Sequence, residues 1–282
     1  MSKSRFNIDR LKLCLVTNDN INMYEQIQLY ENDNLNYTLR KIHKNEKEII
    51  YDVYCNGIEI KLGQLTINNN GESGCISTYH FFEFTNEALY TPFSYQCSLI
   101  VLVDYVFDDL GMRVNNITRI ELALDTTVNI VTRIDKIIKD ENITMIFNNK
   151  KIKEMNKKIP DAFYCYGRSR SKRDRVPCLF FKGIHNQVKI YNKMQEIENS
   201  GKRYIYEWNN FNSSKMYRLE VRLDRIGWLS VISELNLDST YNAANWLAYL
   251  ISDYLPQIWE IALSRVLRFN NKRRQISVLQ LL

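Results

Sequence analysis

Apolar and polar residues alternate along several stretches of this 282-residue chain, and that period of two predicts strands. Residues 9–17 (DRLKLCLVT) read as a half-buried strand. Residues 49–62 read as a strand, a turn at Asn56-Gly57 and a second strand, because Asn-Gly accommodates the positive φ angles of a tight hairpin. Further strands are expected at 80–84 (HFFEF), 117–125 (ITRIELALD), 162–167, 178–182, 187–193 (QVKIYNK) and 216–224 (MYRLEVRLD). Helical spacing is expected at 20–31, at 94–112 ending near Gly111, and in short pieces at 131–139 and 149–157. A last helical stretch, 239–270, is interrupted by Pro256. Hairpins outnumber regular strand–helix–strand alternation. The expected class is therefore α+β, with a mainly antiparallel central sheet, flanking helices and a helical C-terminal segment. No linker of biased composition interrupts the chain. The expected division is a main domain over 1–230 with a helical extension, 231–282, packed on it.

The alternation also sorts side chains onto faces. In ITRIELALD, Arg119, Glu121, Ala123 and Asp125 share one face, while Ile120, Leu122 and Leu124 share the other. Glu121 and Asp125 then project from one side, roughly 13 Å apart along the strand. In MYRLEVRLD, Arg218, Glu220, Arg222 and Asp224 oppose Tyr217, Leu219, Val221 and Leu223. In VKIYNK, Lys189, Tyr191 and Lys193 align, away from Val188 and Ile190. If the three strands share a sheet, their polar faces join. Carboxylates, a tyrosine and basic side chains then meet on one surface. Such oxygen ligands suit Mg²⁺ or Mn²⁺, which polarise a phosphate, and a tyrosine beside them can attack phosphorus. The competing reading is plain: alternating Arg and Glu also form cross-strand ion pairs, and tyrosine favours strands for packing reasons.

Composition narrows the classes. Six cysteines include no CxxC pair, and three histidines include no His-x-His, so a zinc site or a two-histidine metal nickase has no support. No phosphate-binding glycine loop, dinucleotide fingerprint or zinc-protease motif occurs. No apolar run approaches the roughly 20 residues of a membrane span, and the N-terminus lacks the apolar core of a secretion signal. A cytoplasmic protein without a membrane partner is expected. The net charge of +6 suits a polyanion, and its distribution says more. Arg168, Arg170, Lys172, Arg173 and Arg175 form one cluster, and Arg265, Arg268, Lys272, Arg273 and Arg274 another. Either could equally be a solvated loop.

The ordered run NITRIELALD, YCYGRSRS, VKIYNKMQE and MYRLEVRL resembles the trans-acting replication initiators (Rep_trans) of small rolling-circle plasmids and some phages. The resemblance covers roughly 80–225 and implies a function: metal-dependent, sequence-specific nicking and joining of a DNA strand through a 5′-phosphotyrosine. It implies Tyr191 as nucleophile, with Lys193 steadying the phosphate. It implies Glu121, Asp125 and Glu220 as ligands of Mg²⁺ or Mn²⁺. Glu121 stands where the family usually has Asp. Asp9, in NIDRLKL, is similar to an early strand aspartate of the family. DNA, as an origin hairpin or a single strand, is the implied partner, met by Arg119, Lys189, Arg218, Arg222 and the basic cluster at 168–175. A host helicase and a second protomer are further partners of such enzymes. A non-catalytic DNA-binding protein of the same fold, a mobilisation relaxase and an ion-paired interaction protein remain the alternatives.

Overall fold

The computed structural model describes residues 3–17, 37–45, 47–56, 60–70, 75–76, 79–90, 103, 105–147, 150–151, 178–183, 185–235, 250, 254–271 and 274–281. The chain opens with β1 (Ser4–Thr17), β2 (Tyr37–Lys44), β3 (Glu48–Cys55), β4 (Ile60–Asn70), β5 (Cys75–Ile76), β6 (Tyr79–Phe84) and the short α1 (Asn86–Leu89). It continues through β7 (Met112–Thr126), α2 (Ile130–Lys139), β8 (Ile143–Phe147), β9 (Lys150–Lys151), β10 (Cys178–Lys182) and β11 (Asn186–Asn192). Helices α3 (Lys193–Ser200) and α4 (Arg203–Asn209) precede β12 (Tyr217–Asp224). Then come α5 (Arg225–Glu234), α6 (Leu255–Val266), β13 (Leu267–Asn271), β14 (Arg274–Ile276) and α7 (Val278–Leu281). This is an α+β fold built on a large, mainly antiparallel sheet, as the hairpin-rich pattern predicts. No helix among the described residues is long and apolar enough to cross a membrane.

The described residues form two compact units, whose boundaries run through the long strands β1 and β7. In the first, the hydrogen-bonded order is β10-β11-β12-β7-β1. The backbone N–H of Thr127 donates to Lys3, and the Ser4 hydroxyl meets that of Thr126, so these ends of β1 and β7 run antiparallel. The apolar row of the sheet is continuous across strands: Leu122 and Leu124, Leu219, Val221 and Leu223, Val188 and Ile190, Leu179 and Phe181 are all buried. Helices α5 and α6 pack on β11 and β12 and contribute Trp228, Val231, Ile258 and Trp259, all fully buried. Phe6 meets the Trp259 ring edge-on at 5.4 Å. Each such buried side chain stabilises the unit by roughly 1.5–3 kcal/mol. A smaller sheet, β14-β13-β8-β9, completes the unit.

In the second unit the order is β7-β1-β6-β4-β3-β2, a meander of hairpins. Its core holds Leu11, Leu13, Val53, Leu62, Leu65 and Phe82. Phe82 stands edge-on to both Phe84 and Phe107. Gly63 is glycine for want of room: a Cβ there would lie 2.5 Å from both the Glu83 carbonyl oxygen and Phe82 Cζ. The turn that enters β7 uses Gly111 at φ 64°, the left-handed conformation expected at the end of a helix.

Two expectations differ from what is seen. The helical reading of 239–270 is right for α6, but its last residues become strand β13, which pairs with β8. That pairing joins segments more than a hundred residues apart, and local periodicity cannot report it. Lys193 begins a helix rather than ending a strand. The Asn192 side chain caps that helix by accepting from the Gln195 N–H, and Gly201 closes it at φ 73°. The strand at 162–167, the helices at 20–31 and 149–157, and most of 94–112 lie outside the described residues.

Candidate functional site

Tyr191 is the penultimate residue of β11, one before the Asn192 cap of α3. Antiparallel register places Lys189 opposite Glu220 and Tyr191 opposite Arg218, while Val188 and Ile190 face Val221 and Leu219. Because opposed residues share a face, the polar rows of β11 and β12 coincide as their alternation predicts. The Tyr191 hydroxyl, on a half-buried side chain, donates to Glu220 Oε2 at 3.2 Å. Lys189 Nζ donates to Glu220 Oε1 at 2.8 Å. Each oxygen of one carboxylate therefore holds one chemically useful neighbour.

A second carboxylate of the same unit joins. One oxygen of Glu121 lies within 4.8 Å of one of Glu220, and both side chains are buried. Like charges held this close in low dielectric repel strongly unless a cation intervenes. Lys189 answers part of that demand. Burial works against its charge, but Glu220 first, then Glu121 and Cys178, more than offset it, so its pKa is raised above that of an ordinary lysine. Hard oxygen donors of this kind suit Mg²⁺ or Mn²⁺. In the second unit Asp9 is oriented by its own neighbours: Tyr90 Oη donates to its Oδ1 at 2.8 Å, and Asn86 Nδ2 to its backbone carbonyl at 2.6 Å.

No family model matches this chain, and a search of curated proteins finds no match.

The remaining residues singled out from the sequence distribute differently. Asp125, expected beside the cation, is not in the cluster of Glu121 and Glu220. It is fully buried, and both its oxygens are taken. Arg218 Nε donates to Oδ1 at 2.6 Å and its terminal nitrogen to Oδ2 at 2.7 Å, while Asn7 and Asn209 amides donate to Oδ2 at 2.8 and 3.0 Å. Three strand residues separate Asp125 from Glu121 on β7, and Asp125 meets a different set of partners. Arg218, expected to touch DNA, is 0% exposed and serves Asp125 instead. Lys193 is buried, forms an ion pair with Glu196 at 2.6 Å, and holds its Nζ 5.7 Å from the Tyr191 ring centroid. It thus stays beside the tyrosine although it lies on a helix. Arg119 is half-buried on the Glu121 row of β7, and Arg222 half-buried opposite Gln187. Arg168, Arg170, Lys172, Arg173 and Arg175 lie outside the described residues.

Sequence reasoning missed Asn7, Trp208 and Asn209. Trp208 Nε1 donates to Asn7 Oδ1 at 2.8 Å, and the Asn7 and Asn209 amides meet at 3.1 Å. Asn7 carries a signal, since it is two residues from Asp9 on the same strand face. Asn209, in a short helix ended by Asn210 at φ 47°, carries none.

Proposed function

We propose that this chain is a DNA-nicking and joining enzyme that initiates rolling-circle replication, with Tyr191 as its nucleophile. The observation that carries the reading is the hydrogen bond from Tyr191 to Glu220, on a sheet face that also presents Lys189 and Glu121. A phenol is a weak nucleophile at neutral pH and needs an acceptor for its proton. Glu220 Oε2 stands within reach of that proton. As the Tyr191 oxygen bonds to phosphorus, its proton passes to Glu220. The bond from phosphorus to the 3′ oxygen breaks, and that oxygen leaves and takes a proton from water. The DNA 5′ end remains on Tyr191 as a phosphodiester, so the later joining step needs no ATP. Lys189, kept charged by its acidic neighbours, offers a cation to the phosphate oxygens. Lys193, buried and paired with Glu196, keeps a second positive charge beside the ring. Glu121 and Glu220 would hold a Mg²⁺ or Mn²⁺ ion, which when bound supplies positive charge to a phosphate in displacement.

The test is incubation of the protein and Mn²⁺ with supercoiled or single-stranded DNA that carries the replication origin of its own genetic element. Denaturing electrophoresis then looks for a protein–DNA adduct. The wild type is expected to form one. Tyr191→Phe is expected to lose it while keeping salt-sensitive DNA binding. An adduct of equal yield in Tyr191→Phe refutes the assignment. DNA binding with no adduct in the wild type turns the reading toward a non-catalytic binder.

A further inference from the structure

Arg218 and Asp125 stand next to the reacting groups along and across the strands. Arg218 is directly opposite Tyr191 in the β11–β12 register and two residues before Glu220 on the same face. Cβ atoms of such opposed residues are about 5 Å apart. Its guanidinium grips both oxygens of Asp125, and both side chains are 0% exposed. Asp125 is gripped in turn by Asn7 from β1 and Asn209 from α4, and Asn209 Nδ2 is anchored as well to the Ile205 carbonyl at 2.9 Å. The result ties three neighbouring strands and the α3–α4 segment into one polar knot.

We propose that the Asp125–Arg218 pair is a positioning device, holding the side chains of Tyr191 and Glu220 in the geometry that nicking requires. The inference rests on the reading of Tyr191 as nucleophile. Stability alone does not account for the pair, because apolar residues of similar volume in such a place are often equally or more stabilising. What an ion pair with four directed hydrogen bonds adds is direction. Packed leucines slide and repack, whereas a two-point Arg–carboxylate contact admits one arrangement. Arg218 is locked at its far end, so its stem forms a fixed wall beside the Tyr191 ring and next to the root of Glu220. The 3.2 Å contact between those two groups has to survive the close approach of a phosphate. A displacement of 1 Å in such a geometry costs about a hundredfold in rate.

The experiment pairs Asp125→Asn with Arg218→Met, which removes both charges and keeps similar volume. Folding is checked by circular dichroism and a cooperative melt. Two readouts follow. One is the rate of adduct formation at saturating DNA, measured apart from the DNA concentration that gives half that rate. The other is the ¹⁹F resonance of 3-fluorotyrosine placed at position 191, which reports the ring without DNA, metal or turnover. The expected result is a rate lowered about ten- to hundredfold at unchanged half-saturation. It comes with a single wild-type resonance that broadens or splits in the double variant. Asn209→Ala, which removes one grip on Asp125 and leaves the ion pair, is expected to move both readouts the same way by less. It decides the question if the double variant does not fold. A folded variant with the wild-type resonance, or with the wild-type rate, overturns the proposal. A wild type that forms no adduct ends the nicking reading by itself, and the resonance still decides whether the pair positions the ring.

Discussion

His80 offers the sharpest quantitative check on how the second unit is held together. Its side chain is 0% exposed on β6, opposite Leu15 of β1. Its Nδ1 accepts from the Asn68 backbone N–H at 3.3 Å, so the neutral ring carries its proton on Nε2, which has no hydrogen-bond partner among the described residues. A second proton would place a charge in the core, and burial lowers the pKa from 6.5 to about 4. Between those values the unfolded chain takes up a proton that the folded chain refuses. Stability is therefore complete above about pH 6.5, falls as pH drops toward 4, and loses nothing more from this group below that. A gap of about 2.5 units at 1.36 kcal/mol each predicts a loss of roughly 3 kcal/mol across the window. Carboxylates titrate in the same range, so the comparison that isolates His80 is wild type against His80→Leu. Urea unfolding at intervals from pH 7 to pH 4 is the assay. The leucine variant starts from a lower stability, because the Asn68 N–H loses its acceptor, and it then declines less steeply with acid. The difference between the two curves should shrink by roughly 3 kcal/mol on going from pH 7 to pH 4. Parallel curves would refute the reasoning and show that His80 titrates as if it were exposed.

Two other outcomes follow from the packing. Arg218→Met alone leaves Asp125 as an uncompensated buried charge and should cost about 3–5 kcal/mol in chemical denaturation, whereas pairing it with Asp125→Asn should recover most of that; a double variant as unstable as the sum of its parts would contradict the account. Gly63→Ala should destabilise by about 1–3 kcal/mol, seen as a lower melting temperature, since its methyl group meets a backbone oxygen that cannot move aside; an unchanged melt would show that the β4–β6 spacing relaxes easily.

The alternation of QVKIYNK and MYRLEVRLD was enough to place Lys189, Tyr191 and Glu220 on polar faces, because a pleated strand sends successive side chains to opposite sides whatever its neighbours are. It was not enough to set Lys189 against Glu220 or Tyr191 against Arg218. That depends on which strands pair and in what register, which the packing of Val188, Ile190, Leu219 and Val221 under α5 and α6 decides. The carboxylates show the same limit. Glu121 and Asp125 share a face of β7 and look equivalent along the chain, yet Glu121 joins Glu220, and Asp125 meets Arg218 in the interior. Both partners lie on β12, far along the chain, so no local spacing could rank Glu121 above Asp125.

The chain by itself thus determined the class of fold and the chemical character of each strand face, since both follow from local periodicity. The tertiary structure decided the division of labour among the charges. Whether a carboxylate meets a cation, a lysine or a buried arginine depends on burial and on neighbours from distant segments. Those are properties of the folded sheet, in which each side chain's partner lies across a strand and not along it.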